Sequence, residues 1–343
     1  MNEPNEIEQV QPEPDRGPSV PDSGPDRPAA STGAQAESSR SPASTQPPNA
    51  GALTRSATRV ARGRVHTIHY ELSYLALNAD QGPRGAIVLL HDLPGGAFAW
   101  QSLMPALAAT GRAVYAFDML GYGDSGHPWP ADCSVWGHAD NLGPAFEALG
   151  LQDVVLVGIG VGGGVAQVLA TRLFREGAAA LALLGTYAYT YAYAPDWPMT
   201  EMEQRHDPDA PRHTSTEQML ANLRATLPNG SVNPKQLAGS ASDAYVSPWN
   251  SDLGRELLFQ HIRQMLPNYT LSVASDLKQL SIPTLIVWGE EDRVTPLALG
   301  RRLERDIPGA RMALIPGAGH LLLSDAPDRV GELIVDFVTK AQH

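Results

Sequence analysis

Three observations predict a doubly wound α/β architecture for this chain. From Gly85 onward, short apolar runs (AIVLLH, AVYAFD, VVLVG, LALLG, PTLIVWG, RMALIPG) alternate with helical stretches, the pattern of a mostly parallel sheet covered on both faces. Ahead of them, RVHTIHYELSYLAL from Arg64 to Leu77 alternates as an antiparallel hairpin at the sheet edge. Between Tyr187 and about Lys278 the strand rhythm stops, and segments such as TSTEQMLANLRATL and RELLFQHIRQML read as helices. An insertion that leaves after one core strand and returns before the next sits above the carboxyl ends of the strands, where open sheets bind ligands.

Taken in order, the 343 residues begin with a stretch to about Leu53 dense in Pro, Ser, Gly, Ala and acidic side chains. With so little apolar surface to bury, it cannot offset the entropy of ordering and reads as a disordered tail. The expected organisation is therefore a tail over residues 1–55, a first part of the core over 56–186, a helical cap over 187–278 and the rest of the core over 279–343. No repeat at solenoid or propeller periods is evident.

The tail lacks the basic start and apolar stretch of a secretory signal, and the richest apolar run, Gly177 to Leu184, is far too short to cross a bilayer. The lone Cys133 has no cysteine partner for a disulfide or a zinc site, which fits a reducing compartment. A cytoplasmic, non-membrane protein is the expectation. The net charge of -12 disfavours nucleic acid and anionic lipid as partners and says nothing about the small-molecule ligand, which is the expected partner.

Four motifs fall in a telling order. His91-Asp92-Leu93-Pro94-Gly95-Gly96 follows the first apolar run, and Asp118-Met119-Leu120-Gly121-Tyr122-Gly123-Asp124-Ser125 follows the second. Val157-Gly158-Ile159-Gly160-Val161-Gly162-Gly163 then joins a strand to a helix. Last come Gly289-Glu290-Glu291-Asp292 and, one strand later, Gly317-Ala318-Gly319-His320.

From Arg64 to the C-terminus the chain resembles the capped α/β-hydrolases, of the epoxide hydrolase and haloperoxidase kind. The resemblance implies that the glycine-flanked turn is a nucleophile elbow of the G-x-S-x-G type, with Gly160 where serine is usual. It also implies an HG-x-P-like turn with Asp92 where glycine is usual, backbone N–H groups of Leu93 and Val161 as oxyanion donors, and Ser125 as structural. Asp292 would orient His320 as the acid of a triad does. Glycine has no side chain to acylate, so the covalent serine route is closed at this position.

Other readings compete at several of these residues. Gly158, Gly160 and Gly163 also spell G-x-G-x-x-G, but the following strand ends LALLGTYAY without the acidic residue that holds a ribose, so no dinucleotide cofactor is expected. Asp92 reads first as a turn cap and second as a pocket carboxylate, the nearest candidate for a relocated nucleophile. Tyr187, Tyr189, Tyr191 and Tyr193 alternate at period two and, if extended, face one way, towards an aromatic ligand or into cap packing. His206, Asp207, Asp209 and His213 lack regular ligand spacing, so no metal is expected. Cys133 reads as a small buried residue rather than a catalytic thiol.

The function expected is cofactor-independent general-base chemistry on a small, aromatic or polycyclic substrate. His320 and Asp292 supply the base, and His91, Asp92, Tyr187 and Tyr189 line the substrate pocket. The alternative is a catalytically inactive receptor or scaffold that binds a small molecule under its cap.

Overall fold

Eight strands form one sheet in the order β1-β2-β4-β3-β5-β6-β7-β8. The computed structural model describes residues 59–189, 210–237, 239–265 and 268–341, so the expected tail over 1–55 lies outside the described residues. The hairpin is β1 (Ala61–His66) and β2 (Glu71–Leu77), antiparallel to each other, with β2 also antiparallel to β4 (Val114–Phe117). The remaining pairings are parallel: β3 (Ile87–Leu90) lies between β4 and β5 (Val154–Ile159), followed by β6 (Ala178–Leu184), β7 (Thr284–Gly289) and β8 (Arg311–Ile315).

Alternation along the buried strands feeds two cores. Val88, Leu90, Leu156, Leu181 and Leu183 face helices α2 (Val135–Ala148) and α3 (Val161–Val168). Ile87, Leu89, Val155, Val157 and Ala182 face the other side, where Met104 of α1 (Met104–Ala108) and Val330, Ile334 and Phe337 of the C-terminal helix Pro327–Lys340 complete the layer. In such a layer a single buried leucine is worth about 2–5 kcal/mol against alanine, which is why the strands read as unbroken apolar runs.

Between β6 and β7 the described residues are largely helical: α4 (Thr216–Thr226), α5 (Ser240–Val246) and α6 (Asp252–Arg263). Serine hydroxyls start three helices by accepting a backbone N–H: Ser134 from Gly137 at 3.1 Å, Ser215 from Gln218 at 3.1 Å and Ser251 from Gly254 at 2.9 Å. Met219, Leu220, Leu257 and Leu258 turn the apolar faces of α4 and α6 inward. After β7 comes α7 (Leu297–Asp306).

The chain passes from β3 to β4 on one side and then returns to place β5 on the other, so β3 and β5 border the point where the strand order reverses. In open α/β sheets the crevice beyond the carboxyl ends of such a pair is where ligands bind. Asp92 follows β3, and Gly160 follows β5.

Candidate active site

Loops beyond four carboxyl ends, those of β3, β5, β7 and β8, bring Asp92, Gly160, Asp292 and His320 together. Gly160 holds φ 53° and ψ -119° at the turn into α3, a conformation disfavoured for any residue with a Cβ. This sharp turn presents the Val161 N–H at the start of the helix.

That N–H donates to Asp92 Oδ1 at 2.8 Å. The other Asp92 oxygen, Oδ2, accepts from His320 Nε2 at 3.1 Å. The expected turn-cap role for the Asp92 side chain is therefore corrected: the turn is closed by its backbone carbonyl, which accepts from Gly95 N–H at 2.7 Å, and the carboxylate reaches into the site. Val161 N–H, expected to face a substrate oxyanion, is occupied by this carboxylate. A Cβ built on Gly160 would lie 2.0 Å from Asp92 Cγ and about as near to both carboxylate oxygens, so the carboxylate fills the space that any side chain at 160 would need.

On its other edge the imidazole of His320 donates from Nδ1 to Asp292 Oδ2 at 3.0 Å. Asp292 is fully buried, and its Oδ1 accepts the N–H groups of Val294 and Thr295 at 2.8 and 2.9 Å. The Thr295 hydroxyl donates to Asp292 Oδ2 at 2.7 Å and sits 3.3 Å from His320 Nδ1. Burial alone opposes charge on Asp292, but the His320 charge and these hydrogen bonds outweigh it and hold the carboxyl below its usual range. Burial likewise pushes the His320 value down, yet Asp292 and then Asp92 more than offset it and raise it to about 10. The two carboxylates thus favour the charged imidazolium form of the ring over the free base expected at His320.

His91 was expected at the substrate pocket, and the structure corrects this. It is fully buried; the Met119 N–H donates to its Nε2 at 3.1 Å, which leaves Nδ1 protonated and donating to the Asp92 carbonyl at 2.9 Å. Burial, the largest influence, keeps its pKa below the usual value. His91 thus fixes the backbone that carries Asp92.

Tyr189 is corrected as well. A positive φ of 59° breaks the extended alternation assumed for the tyrosines, and its hydroxyl donates to Asp306 Oδ2 at 2.9 Å with Arg302 3.7 Å above the ring. Tyr187 borders a small cavity beside Asp92 and His320. Tyr191 and Tyr193 lie outside the described residues, as do His206, Asp207 and Asp209. Among the described residues no group of three or more His, Cys, Asp or Glu side chains is arranged to hold a metal. Ser125 Oγ accepts from Ser73 N–H at 2.8 Å and donates to the Asp118 carbonyl at 2.5 Å, a structural role. Cys133 is buried, and burial pushes its thiol up to about 12.

Two small cavities, of about 20 and 30 Å³, open beside Asp92 and His320. Leu93, Pro94, Leu227 and Leu321 border both, Tyr187 borders the first, and Tyr245 and Ser324 border the second. A water needs roughly 10–15 Å³ of such volume, so the first cavity accommodates one or two and the second two or three. Sequence reasoning missed Thr295 and Tyr245. The threonine stood three residues after the acid, but nothing in a lone Thr announces a hydrogen bond to it. Tyr245 comes from α5, remote in sequence from every motif.

Residues 85–327 match the α/β-hydrolase fold family. The chain is similar to a 2-hydroxymuconate semialdehyde hydrolase of Pseudomonas sp. (strain CF600), 27% identical over 76% of this chain and 89% of the relative. It is similar to haloalkane dehalogenase 2 of Mycobacterium bovis, 23% identical over 80% of this chain and 92% of that protein. Among solved structures, an α/β-hydrolase fold protein from Burkholderia ambifaria superposes with a TM-score of 0.71 at 24% identity, covering 80% of this chain and 97% of that one. No helix among the described residues is long and apolar enough to cross a membrane.

Proposed function

We propose that this chain, which belongs to the α/β-hydrolase fold family, is a hydrolase whose nucleophile is the Asp92 carboxylate rather than a side chain at the elbow. One observation carries the reading: Asp92 occupies the space over Gly160, where the family resemblance places serine, and is hydrogen-bonded to the very His320 nitrogen that faces the elbow. Loss of the serine and gain of the carboxylate are then two halves of one exchange.

A carboxylate suits attack on a saturated carbon that bears a leaving group. An Asp92 oxygen forms a C–O bond as the bond to the leaving group breaks, and that group departs with the electron pair. The product is a neutral alkyl ester on Asp92. With Asp92 uncharged, His320 loses the smaller of the two attractions that raise its pKa, and as its value falls it releases a proton to solvent. The neutral ring, still oriented by Asp292, takes a proton from water, and the hydroxide adds to the ester carbonyl. Val161 N–H, already 2.8 Å from Asp92 Oδ1, supports the oxyanion of this adduct. Collapse expels the alkoxide, which takes the proton from His320; the proton left on the regenerated Asp92 carboxyl passes to the ring. The net change is a substrate plus water giving an alcohol, the leaving anion and one proton. General-base work by His320 thus belongs to the second half of the cycle. One relative is named a haloalkane dehalogenase, and haloalkanes are electrophiles of this kind.

A second reading is a binding protein that does not turn over, favoured by the engagement of Val161 N–H, which leaves it paired with Asp92 instead of open to a substrate oxyanion. Incubating wild type, His320→Gln and Asp92→Asn with 1-bromobutane and 1,2-epoxybutane separates the two. The carboxylate reading expects His320→Gln to accumulate an alkyl group on the peptide carrying Asp92, and Asp92→Asn to lose turnover by a factor of roughly 10³ or more. Turnover that survives Asp92→Asn rules out the nucleophile; absence of any adduct or turnover in all three proteins favours the binder.

A further inference from the structure

Away from the Asp92–His320–Asp292 chain, two more histidines are buried and take no part in it. His138 lies on α2 of the core and His261 on α6 of the insertion between β6 and β7. Their rings stack at 5.6 Å with an interplanar angle of 23°. Tyr122 lies 4.2 Å from His261, and Trp249 stands edge-on to the same ring at 5.8 Å. None of the four ring nitrogens has a hydrogen-bond partner among the described residues. The Gly121 and Cys133 backbone groups lie near the His261 ring and weakly favour its charge, but neither meets hydrogen-bond geometry.

We infer that the His138–His261 contact is an acid-released latch, in which protonation of either ring separates α6 from α2. The contact is the place where the insertion rests on the core through two groups that are tolerated there only while uncharged. A charged imidazole would be stripped of water with no acceptor in hydrogen-bond geometry among the described residues, and a second positive ring would face it within a few ångströms. Each ring regains water and a proton only when the helices part. The titratable neighbours offer no compensation. His91, beyond β3, is itself a buried neutral imidazole, and Tyr122 and Cys133 are held protonated by burial. Of the charged residues of α6, Arg255 pairs with Asp252 and with Glu256, and Arg263, two residues past His261, is itself a cation, while Asp140 and Glu147 of α2 are exposed.

Burial, then the neighbouring imidazoles, lowers both values, with His138 at about 3 and His261 well below its usual range. A histidine lowered in the closed state stabilises that state least at low pH: the seat is firm above about 6.5 and weakens as pH falls below it, because the open form binds the protons. Opening would also release Trp249, whose indole N–H donates to the Pro94 carbonyl two residues from Asp92. The inference stands apart from the chemistry proposed for Asp92.

The test is amide hydrogen exchange on the full chain from pH 7.5 to 4.5, comparing Leu257–Ile262 of α6 with Val154–Ile159 of β5 after correction for the intrinsic pH dependence. The expected result is an opening equilibrium in α6 that rises by about tenfold per pH unit for each titrating ring below 6.5, with β5 lagging behind. His138→Phe and His261→Phe, which keep an aromatic ring at the contact, should flatten the response. Equal acceleration of α6 and β5, no acceleration of α6, or an undiminished response in both phenylalanine variants overturns the latch. Should those variants fail to fold, the wild-type comparison of α6 with β5 decides alone.

Discussion

His320 and the His138–His261 pair are buried to the same degree, yet the protein drives them in opposite directions. At His320 two carboxylates reach the two ring nitrogens, at 3.0 and 3.1 Å, and the ring is held charged. At the pair no acceptor among the described residues reaches any nitrogen, and burial lowers the pKa of both rings. Burial alone penalises charge at both places; the neighbours decide whether that penalty is overcome. The contrast teaches that a buried histidine is an acid, a base or an inert ring according to what the tertiary structure aims at it.

The comparison can be broken most severely at Gly160. Gly160→Ser places a Cβ in a left-handed conformation and within 2.0 Å of Asp92 Cγ, so it should destabilise the fold by about 3 kcal/mol or more and expel the carboxylate that charges His320. Adding Asp92→Gly to the serine variant should recover part of that loss by removing the clash. A thermal-melt double-mutant cycle checks this, and additivity of the two changes would show that positions 92 and 160 are not exchange partners.

Next in size is the response to alkali. A histidine whose folded value is raised from 6.5 to about 10 gives stability that is fully present below pH 6.5 and is lost as pH rises towards 10. Denaturant titrations of wild type at pH 6, 8 and 10 should show the fall, and His320→Gln should flatten it. A wild-type curve as flat as the variant's means that the ring is not clamped as an imidazolium. His138 and His261 act at the other end of the scale, so acid and alkali should loosen this protein through different histidines.

The smallest expected effect sharpens the clamp itself. Thr295→Val removes a hydroxyl that donates to Asp292 and sits beside His320, leaving the buried carboxylate one hydrogen bond short. A loss of about 1–2 kcal/mol is expected, together with a higher titration midpoint for Asp292, whose carboxyl the Thr295 hydroxyl helps to hold low, read from its carboxyl carbon by NMR. Stability loss with an unmoved midpoint would make Thr295 a packing residue only.

Much of the frame was legible in the sequence because it follows from local pattern. The runs IVLL, VYAF and TLIVWG are strands since residues of that type, in runs too short for helices, bury both faces of a parallel sheet. The hairpin was readable from alternation alone, with β1 beginning at Ala61, three residues earlier than expected. His320 and Asp292 were recognisable as candidates from loops that follow successive strands. Their partner was less so. Asp92 reads as a turn cap because a carboxylate beside Pro-Gly-Gly usually serves its own turn, and only the approach of β5 offers it a better donor in Val161. Tyr189 fails the period-two rule because a single left-handed residue reverses the side chain, and φ signs at non-glycine positions are not written in a pattern of residue types.

Local pattern set the order of strands and helices, the glycine at the turn into α3 and the presence of one acid and one histidine beyond the later strands, all properties fixed within a few neighbouring residues. The tertiary structure alone decided that Asp92 and His320, 228 positions apart, share a hydrogen bond. It alone decided that the pKa of His320 is raised while those of His138 and His261 are lowered. The physical reason is that protonation is governed by desolvation and by charges within a few ångströms, and those distances exist only once the strand ends have converged.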